Sequence, residues 1–316
     1  MVVPKRRDGY SHGMPQANIP ANIGSVTLEY ETMGSASNPA VLLIQGFGAQ
    51  LINWPDQFCQ MLVDQGFFVI RFDNRDCGLS TKLDGVVVDP NAVFAAALSS
   101  EEIPPVPYTL SDLAQDAVEL LNHLKIDSAH ILGASMGGMI AQTLVIEHPE
   151  RARSLISLYS VTGEFEIGAP TAEAAEALLG PPPTERQAYI DASPKYGVWQ
   201  SKRYFDEVAV KREAARAFDR SFYPEGSSRQ LAAIYASGSR VEGLQKLQTP
   251  TLVVHGKDDT LLPSEGGKRT AELVPGSTFL LVADMGHDLP EPLLPLITGA
   301  MASHMKLAEW QRATGR

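Results

Sequence analysis

Short apolar runs alternate with longer stretches of helical periodicity over most of the chain. Several of the runs are almost wholly apolar, as at 41–44 and 251–254. Strands that are buried on both faces have this composition, and it is typical of a parallel sheet covered by helices. The pattern predicts strands over residues 26–31, 40–45, 67–72, 129–133, 154–160, 250–255 and 278–282.

Three of the intervening stretches have clear helical periodicity, at 110–124, 262–273 and 290–304. In the first of them, Thr109 or Ser111 is a suitable N-cap, and five apolar residues share one face of the helix. The alternation of strands with helices predicts an α/β fold, in which helices flank a mostly parallel central sheet.

One segment interrupts this alternation. Residues 162–241 contain no convincing strand and are rich in Ala, Glu, Arg and aromatic residues, with a Gly-Pro-Pro-Pro break at 180–183. We predict two to four helices here, forming a cap inserted into one discontinuous core domain. The core would comprise residues 22–161 and 242–308, and residues 1–21 would form an N-terminal extension.

Composition excludes several classes of protein. Of the 316 residues, 44% are hydrophobic and 20% are charged, which is unlike a disordered chain. No apolar run is long enough for a transmembrane helix, so no membrane association is expected. The excess of 37 Asp and Glu over 26 Lys and Arg gives a net charge of −11, which argues against nucleic-acid binding.

Few features indicate a compartment, a cofactor or an oligomeric state. The first twenty residues lack the apolar region of a secretory signal, so we expect a cytoplasmic protein. Two cysteines, Cys59 and Cys77, are too few for a disulfide framework. No cluster of Cys, His and carboxylate residues has the spacing of metal ligands, and we expect no metal or organic cofactor. The oligomeric state is not predicted.

The sequence Gly-Ala-Ser-Met-Gly-Gly at 133–138 lies between a predicted strand and a predicted helix. A Gly-x-Ser-x-Gly motif in that context predicts a nucleophile elbow. Its tight turn strains the serine backbone and raises the hydroxyl above the sheet, while small residues allow neighbouring segments to approach closely. We therefore predict Ser135 as a nucleophile.

A serine nucleophile needs a histidine base and a carboxylate that orients the histidine. In this arrangement both follow later strands, and the acid comes first. Of the seven histidines, only His255 and His287 come directly after late predicted strands. We predict the order Ser135, Asp259, His287, with Asp258 as the alternative acid.

An acyl-transfer intermediate also needs two N–H donors for its oxyanion. We predict that they are the backbone amide of Met136, which follows the nucleophile, and that of Phe47. The latter lies in the Gln-Gly-Phe-Gly loop at 45–48, after the first buried strand. The chain has no His-Gly-Gly-Gly run, which argues against the lipases and esterases that use one.

These motifs resemble those of the α/β-hydrolase superfamily, in its capped branch. They lie at 45–48, 133–138, 256–259 and 286–287, with a fifth at 72–80 that is similar to the Asp-x-Arg-Gly-x-Gly-x-Ser turn of the family. Asp76 replaces the first glycine of that turn. This variant, together with Trp-Pro-Asp-Gln-Phe at 54–58, most resembles the subgroup that contains aclacinomycin methylesterase.

The resemblance has several implications for individual residues. The family pattern His-Gly-x-x-Asp-x-x-x-Pro selects Asp259 over Asp258 as the acid. Many relatives have His where this chain has Gln45, and we expect the glutamine to bond to the loop backbone and preserve the oxyanion hole. For Asp73 and Arg75 we expect a structural ion pair rather than a catalytic role.

A serine at the elbow, rather than the aspartate or cysteine of other members, favours hydrolysis of carboxylic esters through an acyl-enzyme. The expected substrate is a small, largely apolar ester bound below the aromatic-rich cap. Three alternatives stay open: hydrolysis of lactones or C–C bonds, cofactor-free perhydrolysis, and ligand binding by a receptor with a vestigial triad.

Overall fold

Eight strands form one sheet in the computed structural model, which describes residues 15–99 and 101–315. They are β1 (Gln16–Ala21), β2 (Gly24–Met33), β3 (Ala40–Ile44), β4 (Phe68–Phe72), β5 (Ala129–Ala134), β6 (Ala152–Leu158), β7 (Thr251–Gly256) and β8 (Thr278–Val282). Their spatial order is β1-β2-β4-β3-β5-β6-β7-β8. Strands β1 and β2 run antiparallel to their neighbours and the other pairs are parallel, which confirms the predicted mostly parallel sheet.

The sheet begins earlier than the sequence pattern predicts. Strand β1 lies within 1–21, the segment that we assigned to an extension, and it pairs with β2 over its whole length. Only Ala17 and Ile19 of this strand are fully buried, so the alternation is too short to be distinctive. Pro20 weakens the signal further, although proline is tolerated in an edge strand. Residues 1–14 of the predicted extension lie outside the described residues.

Eleven α-helices surround the sheet within the described part of the chain. They are α1 (Asp56–Asp64), α2 (Pro90–Ser99), α3 (Leu110–His123), α4 (Met136–Glu147), α5 (Ala172–Leu179), α6 (Arg186–Ala192), α7 (Glu207–Arg220), α8 (Glu225–Ala236), α9 (Val241–Gln245), α10 (Glu265–Leu273) and α11 (Leu294–Thr314). Thr109 caps α3, as predicted, through reciprocal bonds with Asp112. None of these helices combines the length and apolar character that a transmembrane span requires.

Helices cover both faces of the sheet. One apolar cluster joins the sheet to α3 and α4, and a second joins it to α1 and α11. Strands β3 and β5 are buried along their whole length, because helices cover them on both sides. This burial explains their continuous apolar sequence and leaves the carboxyl ends of the parallel strands as the place for polar chemistry.

The stretch 162–241 contains helices α5 to α8 and no strand. Helix α2, between β4 and α3, is an element that the sequence pattern did not predict, because its residues lack a polar face. It packs on α8, where the Phe94 ring lies 4.7 Å from that of Tyr235, and the same ring lies 5.5 Å from Phe165. The segment before α3 therefore joins the helices of the inserted stretch.

The unusual Asp76 connects the core to α8. Its backbone has the left-handed φ of 63°, which aspartate tolerates better than most residues and which explains a glycine at the same place in relatives. Its buried carboxylate accepts two bonds from Arg229, at 2.8 and 2.9 Å, and one from the Tyr108 hydroxyl at 2.8 Å. The substitution for glycine thus supplies a buried ion pair between the turn at 72–80 and α8.

Asp73 and Arg75 each form an ion pair, but they do not pair with each other. The Arg75 guanidinium makes two 2.6 Å bonds to Asp116 of α3, and both side chains are buried. Asp73 lies 2.8 Å from Arg220 at the end of α7. Both residues therefore form structural ion pairs, as expected, but their partners come from helices that are distant in sequence.

Replacing Arg229 with methionine should lower the free energy of unfolding by about 3–5 kcal/mol, because the Asp76 carboxylate would stay buried without its partner. Urea unfolding of both proteins measures the difference. Arg186→Met is the matched control, since it breaks the exposed pair with Asp219 and should change stability little. If both variants changed the free energy of unfolding by the same small amount, the buried Asp76–Arg229 pair would not contribute to stability as expected.

Candidate active site

Ser135 lies between β5 and α4 in a strained backbone conformation. Its φ of 58° and ψ of −123° belong to a region that side-chain-bearing residues rarely occupy. The surrounding structure holds it there: the Ser135 amide donates to the Leu158 carbonyl at 3.0 Å, and its carbonyl accepts from the Ser160 hydroxyl at 2.8 Å. The sharp turn from strand to helix predicted for this motif is present.

Two glycines make this turn sterically possible. A Cβ at Gly133 would lie 1.9 Å from the Gly137 carbonyl oxygen, and one at Gly137 would lie 2.1 Å from the Ile44 carbonyl oxygen. Any larger side chain would push α4 away from the sheet. The close packing brings the start of α4 against the end of β3, where the loop at 45–48 begins.

Asp259 and His287 meet through a hydrogen bond of 2.7 Å between Oδ2 and Nδ1. The other carboxylate oxygen of Asp259 accepts from the backbone amides of Leu261 and Leu262, both at 2.9 Å. The neighbouring Asp258 is exposed, whereas Asp259 is buried. Of the two candidate acids, Asp259 is therefore the one that bonds to His287.

The electrostatics of this pair determine its hydrogen-bond roles. Burial alone would raise the pKa of Asp259, but the adjacent His287 and His255 outweigh it and lower the pKa to about 2. The carboxylate is thus ionised near neutral pH and can only accept hydrogen bonds. Nδ1 of His287 must then carry a proton, which in the neutral ring leaves Nε2 as the proton acceptor.

His255, the other late histidine, contacts the same carboxylate. Its Nε2 lies 2.6 Å from the Leu262 carbonyl oxygen and 3.4 Å from Asp259 Oδ2, and its ring is fully buried. Because the Leu262 carbonyl can only accept, Nε2 of His255 carries a proton. His255 therefore supports the position and charge of Asp259.

Ser135 follows β5 and His287 follows β8, with β6 and β7 lying between these strands in the sheet, but the two residues share no hydrogen bond in this structure. The Ser135 hydroxyl has no hydrogen-bond partner among residues 15–99 and 101–315. Tyr159, which follows β6, places its ring 4.5 Å from that of His287. Hydrogen bonds between nucleophile and base often tighten only when substrate binds.

The inserted stretch supports the loop that carries His287, and no sequence signal indicated this contact. The His287 amide donates to the Trp199 carbonyl at 2.6 Å. Ser201 donates through its amide to Asp288 at 3.1 Å and through its hydroxyl to the Asp284 carbonyl at 2.6 Å. Since two of the acceptors are backbone carbonyls, side-chain identity could not have revealed them.

Asp288, directly after His287, does not bond to the imidazole. Its carboxylate accepts from the amides of Ser201 and Gly286, at 3.1 and 3.2 Å. Burial raises the pKa of Asp288 to about 6, although these two N–H donors and the nearby His287 oppose the increase. Asp288 thus braces the histidine loop through these two backbone amides.

The loop at 45–48 lies directly beside Ser135. A Cβ at Gly46 would lie 3.0 Å from the Ser135 Cβ. The Gln45 side chain accepts from the Gly46 amide at 2.9 Å, which agrees with the expected bond from this glutamine to the loop backbone. Within the described residues, the amides of Phe47 and Met136 donate to no acceptor, so both are available to a bound oxyanion.

Neither cysteine has the character of a nucleophile. Burial raises the pKa of the Cys59 and Cys77 thiols to about 12, so both are protonated near neutral pH. Residues 15–99 and 101–315 also contain no group of three or more His, Cys, Asp or Glu that could hold a metal ion.

Comparison with known proteins gives consistent results. The family model described as the alpha/beta hydrolase fold matches residues 39–291. The chain is 27% identical to rhodomycin D methylesterase DnrP of Streptomyces peucetius over 307 residues, which cover 90% of this chain and 96% of the relative. This match agrees with the predicted resemblance to a methylesterase subgroup.

Lactonases are also among the similar proteins. The 3-oxoadipate enol-lactonase 2 of Acinetobacter baylyi is 27% identical over 254 residues, covering 80% of this chain and 84% of the relative. The crystal structure of the enol-lactonase from Burkholderia xenovorans LB400 superposes with a TM-score of 0.70 at 23% identity, covering 92% of this chain and 100% of that one. With the family model spanning residues 39–291 and the sheet order described above, the chain belongs to the α/β-hydrolase fold family.

Proposed function

We propose that this protein is a serine hydrolase that cleaves carboxylic esters through an acyl-enzyme. The observation that carries the proposal is the 2.7 Å bond between the ionised Asp259 and His287, on the same sheet edge as the strained Ser135. Strain at an isolated serine has no obvious structural benefit, whereas a raised hydroxyl near an oriented imidazole is what acyl transfer requires.

In the proposed mechanism, Nε2 of His287 takes the Ser135 proton while the hydroxyl oxygen attacks the ester carbonyl carbon. The amides of Phe47 and Met136 donate to the resulting oxyanion. His287 then protonates the departing alkoxide, and the alcohol leaves. A water molecule, deprotonated by His287, attacks the acyl-enzyme, and the acid is released as Ser135 regains its proton. Asp259 stabilises the imidazolium in both steps.

A methyl ester of a small, largely apolar acid is the proposed substrate class. Support comes from the similarity to the rhodomycin D methylesterase over 90% of the chain and from the Tyr159 ring, which lies 4.5 Å from the His287 ring. Lactone hydrolysis is the second candidate, favoured by the similarity to the Acinetobacter enol-lactonase. The same triad can hydrolyse a methyl ester or a lactone, so the side chains that surround the acyl part of the substrate determine which of the two is turned over.

A substrate panel tests the proposal. Wild-type protein would be assayed by chromatography with aryl methyl esters, enol-lactones and a C–C cleavage substrate, and turnover of the methyl esters is expected. In parallel, a fluorophosphonate probe should form an adduct that mass spectrometry locates on the peptide containing Ser135. Labelling without turnover of any substrate would favour the receptor alternative, and an adduct elsewhere would contradict the assigned nucleophile.

A further inference from the structure

Gln230 of α8 is a fully buried glutamine whose two polar atoms both contact the core. Its Oε1 accepts from the Gly48 amide at 2.9 Å, and its Nε2 donates to the Arg75 carbonyl at 3.1 Å. A backbone amide can only donate and a carbonyl can only accept, so the side-chain amide has one favourable orientation. An inserted helix thereby reaches the loop that supplies the proposed Phe47 donor.

Residues 46–49 form a tight turn closed by a 3.2 Å bond from the Ala49 amide to the Gly46 carbonyl. Gly48, in the third position, has a φ of 64°. That left-handed value is typical of a type II turn, whereas a type I turn has a negative φ there. The two types differ by a flip of the central peptide between Phe47 and Gly48. The Phe47 N–H belongs to the preceding peptide, so the turn type affects this donor through the shape and position of the loop.

The Gln230 bond discriminates between these two arrangements. Its Oε1 accepts from the N–H of the central peptide itself. After a flip, the Phe47 carbonyl oxygen would point towards Oε1, and two acceptors would face each other in a buried site. The contact therefore stabilises the observed turn, in which the Phe47 amide has no acceptor of its own within the described residues.

We propose that Gln230 is a positioning residue for the oxyanion hole: it holds the turn at 46–49 so that the Phe47 amide donates to the transition state. The inference rests on the proposed function. It assigns to an inserted helix a part in catalysis, because α8 must be docked on the core before the hole is complete. The adjacent pair of Arg229 with Asp76 anchors the same helix.

Two substitutions separate this role from a purely structural one. Gln230→Met removes the acceptor for the Gly48 amide, and kcat should fall about 10- to 100-fold, part of the loss seen when an oxyanion donor is removed outright. KM should change little, because the donor acts on the transition state. Gln230→Glu keeps an acceptor oxygen, and its kcat should stay close to that of the wild type even where its melting temperature falls.

Tyr223→Phe is the control for hydrogen bonds lost beside α8. It removes the 2.8 Å bond that the Tyr223 hydroxyl donates to Asp84 and the 2.7 Å bond that it accepts from Arg229, and neither partner belongs to the turn at 46–49. Its kcat should equal that of the wild type. The rate of fluorophosphonate labelling, which also forms an anionic oxygen in the hole, should fall in Gln230→Met alone. Circular dichroism melting of all three variants measures stability independently.

The results distinguish two failures. If kcat follows melting temperature across the variants, or if Gln230→Met retains wild-type kcat, the positioning role is wrong while the serine mechanism stands. If ester turnover in the wild type does not depend on Ser135, the proposed function itself fails, whatever Gln230 does. A Gln230→Met protein that does not fold leaves Gln230→Glu decisive, since loss of its kcat in a folded protein would overturn the inference.

Discussion

Replacement of Ser135 by alanine should reduce kcat for ester hydrolysis by about 10⁴- to 10⁶-fold. The variant has no hydroxyl to form the acyl-enzyme, while the proposed amide donors and the substrate site remain. Only the residual rate due to binding and the oxyanion hole should persist. Initial rates with an aryl methyl ester, at saturating substrate and with freshly purified protein, measure the effect.

Ser303→Ala is the matched control for this variant. Ser303 is exposed on α11 and bonds only to the Gly299 carbonyl of its own helix, so its removal should leave kcat unchanged. Both proteins should give wild-type circular dichroism spectra, since alanine fits the space of serine in each case. Retention of more than a small part of the activity in Ser135→Ala would exclude the acyl-enzyme mechanism.

Asp259→Asn should lower kcat by about 10³- to 10⁴-fold with a small change in KM. The Asp259 carboxylate accepts a 2.7 Å hydrogen bond from the protonated Nδ1 of His287, and an amide nitrogen in its place would donate to Nδ1 instead. The imidazole would then carry its proton on Nε2, the atom that must accept one from Ser135. Steady-state kinetics over a range of pH checks this expectation.

Asp258→Asn provides the control, because it makes the same chemical change one residue earlier. Asp258 is exposed and its carboxylate makes no hydrogen bond to His287, so its variant should keep wild-type kcat. An equal loss of activity in both variants would mean that the loop, rather than the Asp259 carboxylate, is responsible.

The Asp259 variant also has a consequence for stability. The pKa of this group is about 2 in the folded protein against 3.8 for the ordinary side chain. Because the folded value is the lower one, the ionised group stabilises the fold above about pH 4, and this contribution is lost as the pH falls towards 2. Its size is on the order of 2 kcal/mol. In urea unfolding at several pH values, the free energy of unfolding of the wild type should decrease as the pH falls from about 4 towards 2, and the decrease should be smaller for Asp259→Asn.

Much of the core could be predicted from local pattern. Strands β3 and β5 are buried on both faces, and for that reason β3 is a continuous apolar run and β5 is apolar apart from His130. The elbow was recognisable because Gly133 and Gly137 are required within one short turn whose steric demands are local. By contrast, β1 was missed, because an edge strand with two buried side chains leaves little periodicity in the sequence.

The partners of the charged residues could not be predicted in the same way. Asp73 and Arg75 lie two residues apart and belong to one motif, yet they pair with Arg220 and Asp116 from distant helices. The sequence shows that Asp76 departs from the family turn. The ion pair with Arg229 that accounts for this aspartate forms only when α8 packs on the core, so the sequence alone does not reveal it. A buried charged side chain needs an oppositely charged partner, but its own identity does not indicate which residue that partner is.

The sequence by itself predicted the type of chemistry, the nucleophile, the order in which acid and base follow it and, through the family pattern, Asp259 as the acid, because those features depend on short turns and on the ends of parallel strands. Only the tertiary structure showed the bond from His287 to Asp259, how His255 supports this carboxylate, and how Trp199, Ser201 and Gln230 brace the surrounding loops. The contacts of Trp199, Ser201 and Gln230 involve backbone groups and join segments more than 80 residues apart. Backbone carbonyls and amides are the same in every residue, so chain packing alone determines where they meet.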